Sequence, residues 1–585
     1  MGFDHWLATC LVPLAVWILI SGLDDFFVAV ASFVIRREPF PWPDGAQLEG
    51  APQRRIAIFV PLWREHRVIG SMLERNRAAI HYANYHVFVG VYPNDALTSR
   101  AVSEAAARDP RIHLARLPHD GPTSKGDCLN WIHRRMVEYE ALHGVRFEIV
   151  VTHDAEDLIH PDSLRLINWF SRGCQMVQIP VLALPTGFRE FTHGVYCDEF
   201  AEYQSKDVPV RVRLGGFLPG NGVGTGFDRN ALDRLAEVRR GRIFDPECLT
   251  EDYETGFQLH ALGCRQIFVP LRFGPPGPVA TREYFPRTLR AAIRQRSRWV
   301  AGITLQGWER HGWRVPARQI YWLWRDRKPV VGNLLSPATN LLFLYGLLGR
   351  SLGATLPRWA APLCTATLGV SLLHVAIRTV ASARIYGYRF AAAAPLRVLW
   401  SNVLNLAATA AALSQFAGAR LRRRGLAWSK TDHVYPAHRA PEPGRARIGD
   451  VLVRLRVLPL DTVEQAAASQ PESLRLGEYL VFLKQITEEN LYLALSAQAG
   501  LPLGVPAREE MSLAATRALP LETARRWKVL PYRIDLGQLH LLTPELPSVE
   551  LAEELAALSA LELRFRLVRP ADFARLAREY LPQRD

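Results

Sequence analysis

Two short segments of this 585-residue chain carry carboxylate side chains at a spacing that could do chemistry. The first, His153–Pro161 (HDAEDLIHP), places Asp154 and Glu156 two residues apart, directly after the apolar run Phe147–Thr152. Two carboxylates at a strand end can hold a hard divalent cation such as Mg²⁺ or Mn²⁺, which also binds diphosphate oxygens. A solvated acidic loop is the alternative. His153 and His160 are treated as bystanders because no further zinc ligands follow at a suitable spacing.

The second acidic segment is the tripeptide Thr250–Asp252 (TED), which heads a predicted helix. Asp252 is a candidate general base for an acceptor hydroxyl, and Glu251 stands beside it. Helix capping alone could also explain the tripeptide.

Other polar groups follow predicted strands or open predicted helices. Glu65 follows the first strand, and Asp95 follows the second. Lys125 opens the segment Lys125–Asn130 (KGDCLN), where helix N–H groups and a cation could meet a diphosphate. Ordinary turn chemistry and simple helix capping are the alternatives at these positions.

Two further segments suit a sugar and its leaving phosphate. The glycine-rich segment Pro219–Phe227 departs from the dinucleotide fingerprint and suggests close backbone approach to a sugar ring. In Gln295–Trp299 (QRSRW), Gln295 can hydrogen-bond, Arg298 can meet phosphate and Trp299 can stack on a sugar face. A basic amphipathic helix on the protein surface could have the same residue pattern.

The elements that must position these residues alternate between β-branched apolar runs and helical patterns. This alternation predicts a parallel α/β sheet within residues 53–320, with the polar residues at its carboxyl edge. The predicted strands are Ile56–Val60, Val87–Tyr92, Phe147–Asp154 and Met176–Val181.

Long apolar segments flank the α/β region. Leu7–Ile35 predicts a membrane anchor within residues 1–37, interrupted only by Asp24 and Asp25. Positive charge after this span places the N-terminus outside and the following domain in the cytoplasm. Within residues 321–430, Pro329–Leu352 and Trp359–Ala383 predict a two-span hairpin. Leu396–Ala419 could be a third span, but it carries polar residues and has arginines at both ends, which favours a helix on the membrane surface.

The formal net charge of +14 is therefore largely membrane-facing, and we expect no nucleic-acid polymer as a partner. Seven cysteines without a CxxC pair indicate neither a structural zinc site nor a disulfide framework. A reducing compartment fits this usage best.

An internal repeat lies in a third region, residues 443–585. Arg447–Gln470 aligns without gaps on Arg475–Gln498, at an offset of 28 residues. Residues 505 to 585 then predict a small α/β unit that completes the domain.

Taken together, Asp95, the acidic segment at Asp154 and the TED and QxxRW segments resemble the processive family 2 glycosyltransferases, the cellulose-synthase and hyaluronan-synthase type. The resemblance implies an α/β GT-A fold, a Rossmann-like nucleotide-diphospho-sugar transferase, with transmembrane helices. It also implies that Asp95 contacts the base of the nucleotide and that Asp154 and Glu156 bind the nucleotide and the metal. Asp252 would be the general base that deprotonates the acceptor hydroxyl. Gln295, Arg298 and Trp299 would bind the acceptor and diphosphate. Glu156 stands where the family usually has Asp.

Within that family the chain looks most like the phage-adsorption glycosyltransferases of the NfrB type. Its repeat resembles the MshEN domain, whose two motifs each grip part of a cyclic-di-GMP molecule. The family often has glycine at the tenth motif position, where this chain has Arg456 and Lys484. Docking of a protein partner is the alternative role for these helices. The resemblance implies these ligand contacts: Arg447, Ile448, Gly449, Leu452, Gln470, Arg475, Leu476, Gly477, Leu480 and Gln498.

These resemblances thus imply an inverting hexosyltransferase of the bacterial inner membrane that uses a UDP-sugar and is activated by cyclic-di-GMP. We expect an envelope polysaccharide as product. The few predicted spans indicate that an oligomer or a periplasmic or outer-membrane export partner completes the pore. The alternatives are transfer of one sugar to a polyprenyl-phosphate lipid, and an inactive cyclic-di-GMP receptor that scaffolds an envelope complex.

Overall fold

The computed structural model describes residues 3–37, 39–273, 278–351, 361–422, 448–455, 457–471, 474–499, 501–535, 538–559 and 561–581. The chain divides into two compact units, Met1–His438 and Arg439–Asp585. These are called unit 1 and unit 2 below.

Unit 1 is built on a seven-stranded sheet in the order β3-β2-β1-β4-β7-β5-β8. Its pairings are parallel except that β7 runs antiparallel to β4 and β5. A parallel two-stranded sheet, β6 with β9, stands beside it. The strands are β1 (Ile56–Pro61), β2 (Tyr85–Val91), β3 (Ile112–Arg116), β4 (Ile149–Thr152), β5 (Met176–Gln178), β6 (Val181–Ala183), β7 (Thr225–Asp228), β8 (Gln266–Phe268) and β9 (Thr281–Glu283).

The helices of unit 1 pack on both faces of the large sheet or continue into long apolar segments. They are α1 (Phe3–Ile35), α2 (Gly45–Gly50), α3 (Ile69–Ala79), α4 (Ala96–Arg108), α5 (Lys125–His143), α6 (Ser163–Phe170), α7 (Phe191–Glu202), α8 (Val208–Arg213), α9 (Arg229–Val238), α10 (Glu251–Ala261), α11 (Leu289–Trp299), α12 (Gly307–His311), α13 (Ala317–Ser351), α14 (Ala361–Tyr386), α15 (Tyr388–Ala391) and α16 (Ala394–Leu421). Two π-helices, Tyr203–Asp207 and Val300–Gln306, interrupt this series.

The strands predicted from apolar runs are present, because both faces of the sheet are covered. In β1, alternate residues join two different cores: Ile58 lies in the core against α3 and α6, and Phe59 in the core against α5 and α9. A strand buried on both faces has a continuous apolar sequence. The run Met176–Val181 is divided, because Ile179 and Pro180 separate β5 from β6.

Within the part of the chain that the structure describes, three helices are long and apolar enough to cross a membrane: Val12–Ile35, Thr365–Tyr386 and Ala394–Leu421. The first two overlap the predicted anchor and the second arm of the predicted hairpin. Pro329–Leu352 is not among the candidate spans found in the described residues, although α13 covers it up to Ser351.

Helix α16 differs from expectation, because length and composition alone qualify it as a span. The polar residues that suggested a surface location are partly satisfied within the protein. Asn405 accepts a hydrogen bond from Arg296 at 2.7 Å and donates one to Ser401 Oγ at 3.1 Å. Buried Arg397 donates to Asp198 at 2.6 and 2.9 Å. The surface location remains a prediction.

Unit 2 combines four helices of the repeat with a three-stranded sheet in the order β10-β11-β12. Strand β11 is antiparallel to β10 and parallel to β12. Its elements are α17 (Ile448–Arg454), α18 (Leu460–Ser469), α19 (Leu476–Phe482), α20 (Glu488–Ala499), α21 (Leu521–Arg526), β10 (Leu530–Asp535), β11 (Gln538–Thr543), α22 (Val549–Leu558), β12 (Glu562–Leu567) and α23 (Pro570–Tyr580).

Candidate functional site

The carboxyl ends of β1, β2 and β4 meet at one edge of the sheet, and their loops bring Glu65, Asp95 and Asp154 to that edge. Asp95 caps α4 by accepting from the Thr98 N–H at 3.3 Å, and it accepts from the Arg64 N–H at 2.5 Å. The Glu65 N–H donates to Thr98 Oγ1 at 3.0 Å. The loops after β1 and β2 are therefore held together with both carboxylates buried.

Lys125 joins the start of α5 to two acidic segments that are far apart in sequence. Its Nζ lies 2.7 and 2.9 Å from the two carboxylate oxygens of Asp154 and 3.8 Å from Glu251 Oε1. Burial alone would lower the pKa of Lys125, but the neighbouring carboxylates of Asp154 and Glu251 raise it overall. Lys125 therefore remains cationic in the cleft.

The glycine-rich loop passes between Lys125 and α10. Gly222 has a φ of +75°, and a Cβ there would lie 3.1 Å from both Lys125 Nζ and Asp252 Oδ2. At Gly220 an added Cβ would lie 2.7 Å from the Asp252 carbonyl oxygen. The glycines are needed because the loop packs on the residues of the site. The expected approach to a sugar ring stays a prediction.

Glu251 and Asp252 begin α10 inside this cleft. Burial raises the pKa of Glu251 to about 7, although the charge of Lys125 opposes the shift. Burial also raises the pKa of Asp252, opposed by Lys125 and Arg298. Asp252 Oδ1 accepts from the Tyr253 N–H at 2.8 Å, which fixes the carboxylate at the start of the helix. A carboxyl with a raised pKa is suited to proton transfer near neutral pH.

The acidic turn after β4 depends on a residue that the sequence interpretation left without a role. Asp157 Oδ2 accepts from the Asp154 N–H at 3.0 Å and lies 2.7 Å from His153 Nδ1. Burial lowers the pKa of His153 to about 3 and raises the pKa of Asp157. Asp157 thus orients the backbone of Asp154. Its signal was visible in the sequence as the third acid of the HDAED segment.

The donor chemistry of this turn suits a hard divalent cation. The Asp154 side chain is 26 % exposed toward the cleft, and Glu156 is buried two residues later. His153 is turned to Asp157, so carboxylate oxygens are the ligands available. Among the described residues, no group of three or more His, Cys, Asp or Glu side chains is arranged to hold a metal. The assignment of Asp154 and Glu156 therefore stays a prediction.

Helix α11 carries the QRSRW segment. Gln295 is buried with no hydrogen-bond partner for its Oε1 among the described residues, and Arg298 is close enough to influence Asp252. Trp299 packs against aromatic rings with centroids 6.0 to 6.4 Å away, those of Tyr196, Phe200 and Phe285. Trp299 is therefore partly committed to a core, and its stacking on a sugar stays a prediction.

A π-helix that the sequence interpretation missed brings α11 and α10 together. Within Val300–Gln306, the Gln306 side chain accepts from the Leu249 N–H at 3.0 Å and donates to the Glu247 carbonyl at 3.1 Å. A Cβ at Gly302 would lie 2.6 Å from Thr250 Oγ1. The segment after QRSRW thus holds the segment before TED, and π-helical turns often occur at functional sites.

In unit 2, the two glycines of the repeat permit close helix packing. A Cβ at Gly449 would lie 2.4 Å from Val463 of α18, and one at Gly477 would lie 2.5 Å from Leu491 of α20. Leu452 and Leu480 have no exposed surface and form the core of these helices. In this arrangement these four positions serve packing, and their expected contacts with a ligand stay a prediction.

The polar residues of the repeat are more accessible. Arg475 is exposed, Gln498 is half-buried and Gln470 donates to the Leu474 carbonyl at 2.6 Å. Ile448 and Leu476 are half-buried. Arg447 and Arg456 lie outside the described residues. The contacts of Arg475, Gln470 and Gln498 with a ligand stay a prediction.

Lys484 occupies a backbone position that favours glycine. It follows α19 with a φ of +55°, and its N–H donates to the Val481 carbonyl at 2.9 Å. The Gln485 N–H donates to the Leu480 carbonyl at 3.0 Å, which completes a Schellman motif. Val457 donates to Leu452 at 2.9 Å, the same bond 28 residues earlier. This geometry explains why a glycine suits the tenth motif position.

Comparisons with known proteins agree with this division of the chain. Residues 52–302 match the family model described as glycosyltransferase like family 2, and residues 499–585 match the MshEN domain. The repeat therefore immediately precedes the matched part of the MshEN domain. Bacteriophage adsorption protein B of Escherichia coli K12 and bacteriophage N4 adsorption protein B of Escherichia coli O157:H7 are each 34 % identical over 577 residues, covering 92 % of this chain and 77 % of theirs.

Among solved structures, a mannosyltransferase from Pyrobaculum calidifontis in complex with GDP-Man and Mn²⁺ is 20 % identical with a TM-score of 0.42, covering 68 % of this chain and 99 % of its own. The structure of MshE with cdg is 24 % identical with a TM-score of 0.22, covering 23 % and 98 %. The family match and the extent of the curated relatives decide the assignment. The chain belongs to the family of bacteriophage adsorption protein B: it is a family 2 glycosyltransferase that carries a C-terminal MshEN domain.

Proposed function

We propose that unit 1 transfers a hexose from a nucleotide-sugar, a UDP-sugar in the first instance, with inversion at the anomeric carbon. The observation that carries this proposal is the convergence of Lys125, Asp154, Glu251 and Asp252 around the Gly222 loop. A buried cation beside two carboxyl groups with raised pKa values, those of Glu251 and Asp252, is typical of a catalytic cleft.

Separate groups of residues bind the nucleoside and the diphosphate of the donor. Glu65 and Asp95, at the ends of β1 and β2, bind the nucleoside through acceptor oxygens. Lys125 and the N-terminal N–H groups of α5 face the diphosphate, a site that helix termini favour for anions. A divalent cation bound by Asp154 and Glu156 would neutralise charge on the leaving phosphate.

Asp252 acts as the base in the transfer step. It takes the proton of the acceptor hydroxyl as that oxygen forms a bond to the anomeric carbon. The carbon–oxygen bond to the diphosphate breaks on the opposite side, and the nucleoside diphosphate leaves with the electron pair. Arg298 and Gln295 would bind the acceptor end and the leaving phosphate, which the influence of Arg298 on Asp252 supports. The arrangement also favours an active enzyme over an inactive receptor.

We infer that this reaction takes place at the cytoplasmic face of the inner membrane. The contacts of α16 support its predicted position along the membrane surface, because Arg397 near its start binds Asp198 and Arg420 near its end binds Glu309 of α12. These arginines are 420 − 397 = 23 residues apart, roughly 34 Å along a helix. If α16 crossed the bilayer, one of its ends would lie on the opposite side of the membrane from the catalytic domain and could not contact it. Apolar Leu396, Leu399 and Val403 are exposed on α16 and suit lipid.

Unit 2 supplies control. We propose that cyclic-di-GMP binds the repeat through Arg447, Arg475, Gln470 and Gln498 and activates transfer in unit 1. Arginine suits this ligand because its planar group binds phosphate or guanine acceptors in a bidentate manner. The product is an envelope polysaccharide, passed outward through a pore completed by an oligomer or an export partner.

Turnover by membranes that contain the full chain tests the proposal. A panel of UDP-sugars and GDP-sugars is supplied with Mg²⁺ or Mn²⁺ and cyclic-di-GMP, and nucleoside diphosphate release is measured. We expect release from one donor and a polymeric product on gel filtration. A single lipid-linked sugar would instead support transfer to polyprenyl phosphate, and no release from any donor would contradict the enzymatic proposal.

A further inference from the structure

Four consecutive charged residues, Arg325 to Lys328, lie within α13, and together they contact several separate parts of unit 1. Arg325 and Lys328 bind α1, Asp326 binds α8 and α10, and Arg327 donates to the Gly312 carbonyl at 2.7 Å. Charged groups are costly beside apolar helices unless they are paired. Because all four side chains have partners, this segment of α13 forms a junction between the apolar helices and the candidate active site.

Asp326 is the centre of this junction. Arg211 of α8 donates to both of its carboxylate oxygens, at 2.7 and 2.9 Å, and the Tyr253 hydroxyl donates at 2.7 Å. The Thr304 hydroxyl, from the π-helix after QRSRW, donates to the Asp326 carbonyl at 3.0 Å. One residue of α13 therefore connects the helix that follows QRSRW with the helix that begins at TED.

Tyr253 links this junction to the candidate base. It directly follows Asp252, and its N–H donates to Asp252 Oδ1 at 2.8 Å. Its ring is buried and packs edge-on against Phe217 with centroids 5.1 Å apart. The two ends of Tyr253 thus hold Asp252 and Asp326 respectively, and the buried ring leaves little freedom between them.

The part of α13 that carries Asp326 is itself fixed on α1. Lys328 lies 2.7 Å from Asp24 and 2.9 Å from Asp25, and Arg325 pairs with Asp24, with Asp25 at 3.1 Å and with Asp207 at 2.9 Å. This accounts for the two acids that interrupt the apolar sequence of α1. They bind the cations of α13.

We propose that Asp326 is a positioning residue for transfer: it holds Tyr253, and through Tyr253 the carboxylate of Asp252, at a fixed position relative to α13. The proposal rests on the proposed role of Asp252 as the base. Displacement of a catalytic group by about 1 Å can reduce a rate on the order of 100-fold.

The test compares Tyr253→Phe, Asp326→Asn, the double variant and Asp326→Glu in the full chain, purified in detergent. Asp233→Asn is the control, because Asp233 is also paired with arginines but lies on α9, away from the cleft. Donor turnover is measured per folded molecule, with donor affinity measured separately by titration. Tyr253→Phe is informative even where Asp326→Asn fails to fold, because it leaves the Arg211 pair intact.

We expect kcat to fall about tenfold in Tyr253→Phe and about 100-fold in Asp326→Asn, with donor affinity unchanged. The double variant should be no worse than Asp326→Asn, because both changes remove one connection. Asp326→Glu, which keeps the charge, should recover part of the rate. Folded variants with the wild-type kcat, or effects that simply multiply, would overturn the proposal. A wild-type chain that turns over no donor would instead contradict the proposed function.

Discussion

The two units treat charge in opposite ways. Unit 1 buries many ionisable side chains, among them Glu65, Asp95, Glu251, Arg296 and Arg397. In unit 2, the buried polar residues among those described are two threonines, Thr516 and Thr543. Buried charge is costly and persists where partners are fixed in advance, as transition-state stabilisation requires. Exposed charge costs little and stays available to a diffusible ligand. The difference thus separates a preorganised cleft from a binding surface.

Removal of the candidate base should have the largest effect. We expect Asp252→Asn to lower kcat by about 10³-fold, because general-base catalysis contributes on the order of 10² to 10⁴. Nucleoside diphosphate release under saturating donor is the measurement. Glu138→Gln, an exposed change on α5, is the control. If Asp252→Asn turned over donor within threefold of the wild-type rate, Asp252 would not be the base, and the buried charges of unit 1 would not mark a catalytic cleft.

Replacement of the cleft cation should alter both donor affinity and pH dependence. Lys125 lowers the pKa values of Glu251 and Asp252, so Lys125→Met should raise both. A base with a higher pKa is protonated up to a higher pH, so the acid limb of the rate profile should move upward. The loss of one charge-assisted contact should weaken donor binding about tenfold or more. An acid limb that stays in place would show that neither carboxyl governs the rate.

An exposed cation of the repeat should affect ligand binding. We expect Arg475→Ala to weaken cyclic-di-GMP binding by about tenfold to 100-fold, since a charge-assisted hydrogen bond contributes about 1.5 to 3 kcal/mol. Isothermal titration of the full chain measures the affinity. Arg578→Ala, an exposed change on α23, is the matched control. If Arg475→Ala and Arg578→Ala bound cyclic-di-GMP with equal affinity, Arg475 would not be a contact of the ligand.

The smallest expected effect is local stability in unit 2. Lys484→Gly should stabilise the end of α19 by about 1 kcal/mol, because a side chain at positive φ is strained by about that amount. Hydrogen exchange at the amides of Lys484 and Gln485 measures the opening equilibrium. Lys484→Ala, which keeps the strain, should exchange as wild type does. Faster exchange in Lys484→Gly would show that the lysine side chain stabilises this turn.

Whether a site residue can be predicted from the sequence depends on how far apart in the sequence its partners lie. Asp95 and Asp154 could be found because each follows an apolar strand, and parallel strands bring their ends together. Asp326 could not, because its contacts with Arg211 and Tyr253 join residues more than 70 positions apart. Helix periodicity likewise gives no sign of the π-helix beginning at Val300.

The repeat gave a similar lesson at short range. Among its shared positions, Leu452 and Leu480 form the helix core, and their contacts with a ligand stay a prediction. A repeated motif must first build the same fold twice, so part of its pattern records packing. The short strands β3, β7, β8 and β9 went unpredicted, because three to five residues carry too little periodicity.

The most direct test of a preorganised cleft controlled by a separate binding surface is donor turnover by the full chain in membranes as cyclic-di-GMP is titrated. We expect nucleoside diphosphate release to rise with the dinucleotide in the wild-type chain, to need a higher concentration in Arg475→Ala and to be nearly lost in Asp252→Asn at every concentration. Release that is equal with and without the dinucleotide would contradict the assignment of control to unit 2, and absence of release under all conditions would contradict the assignment of catalysis to unit 1.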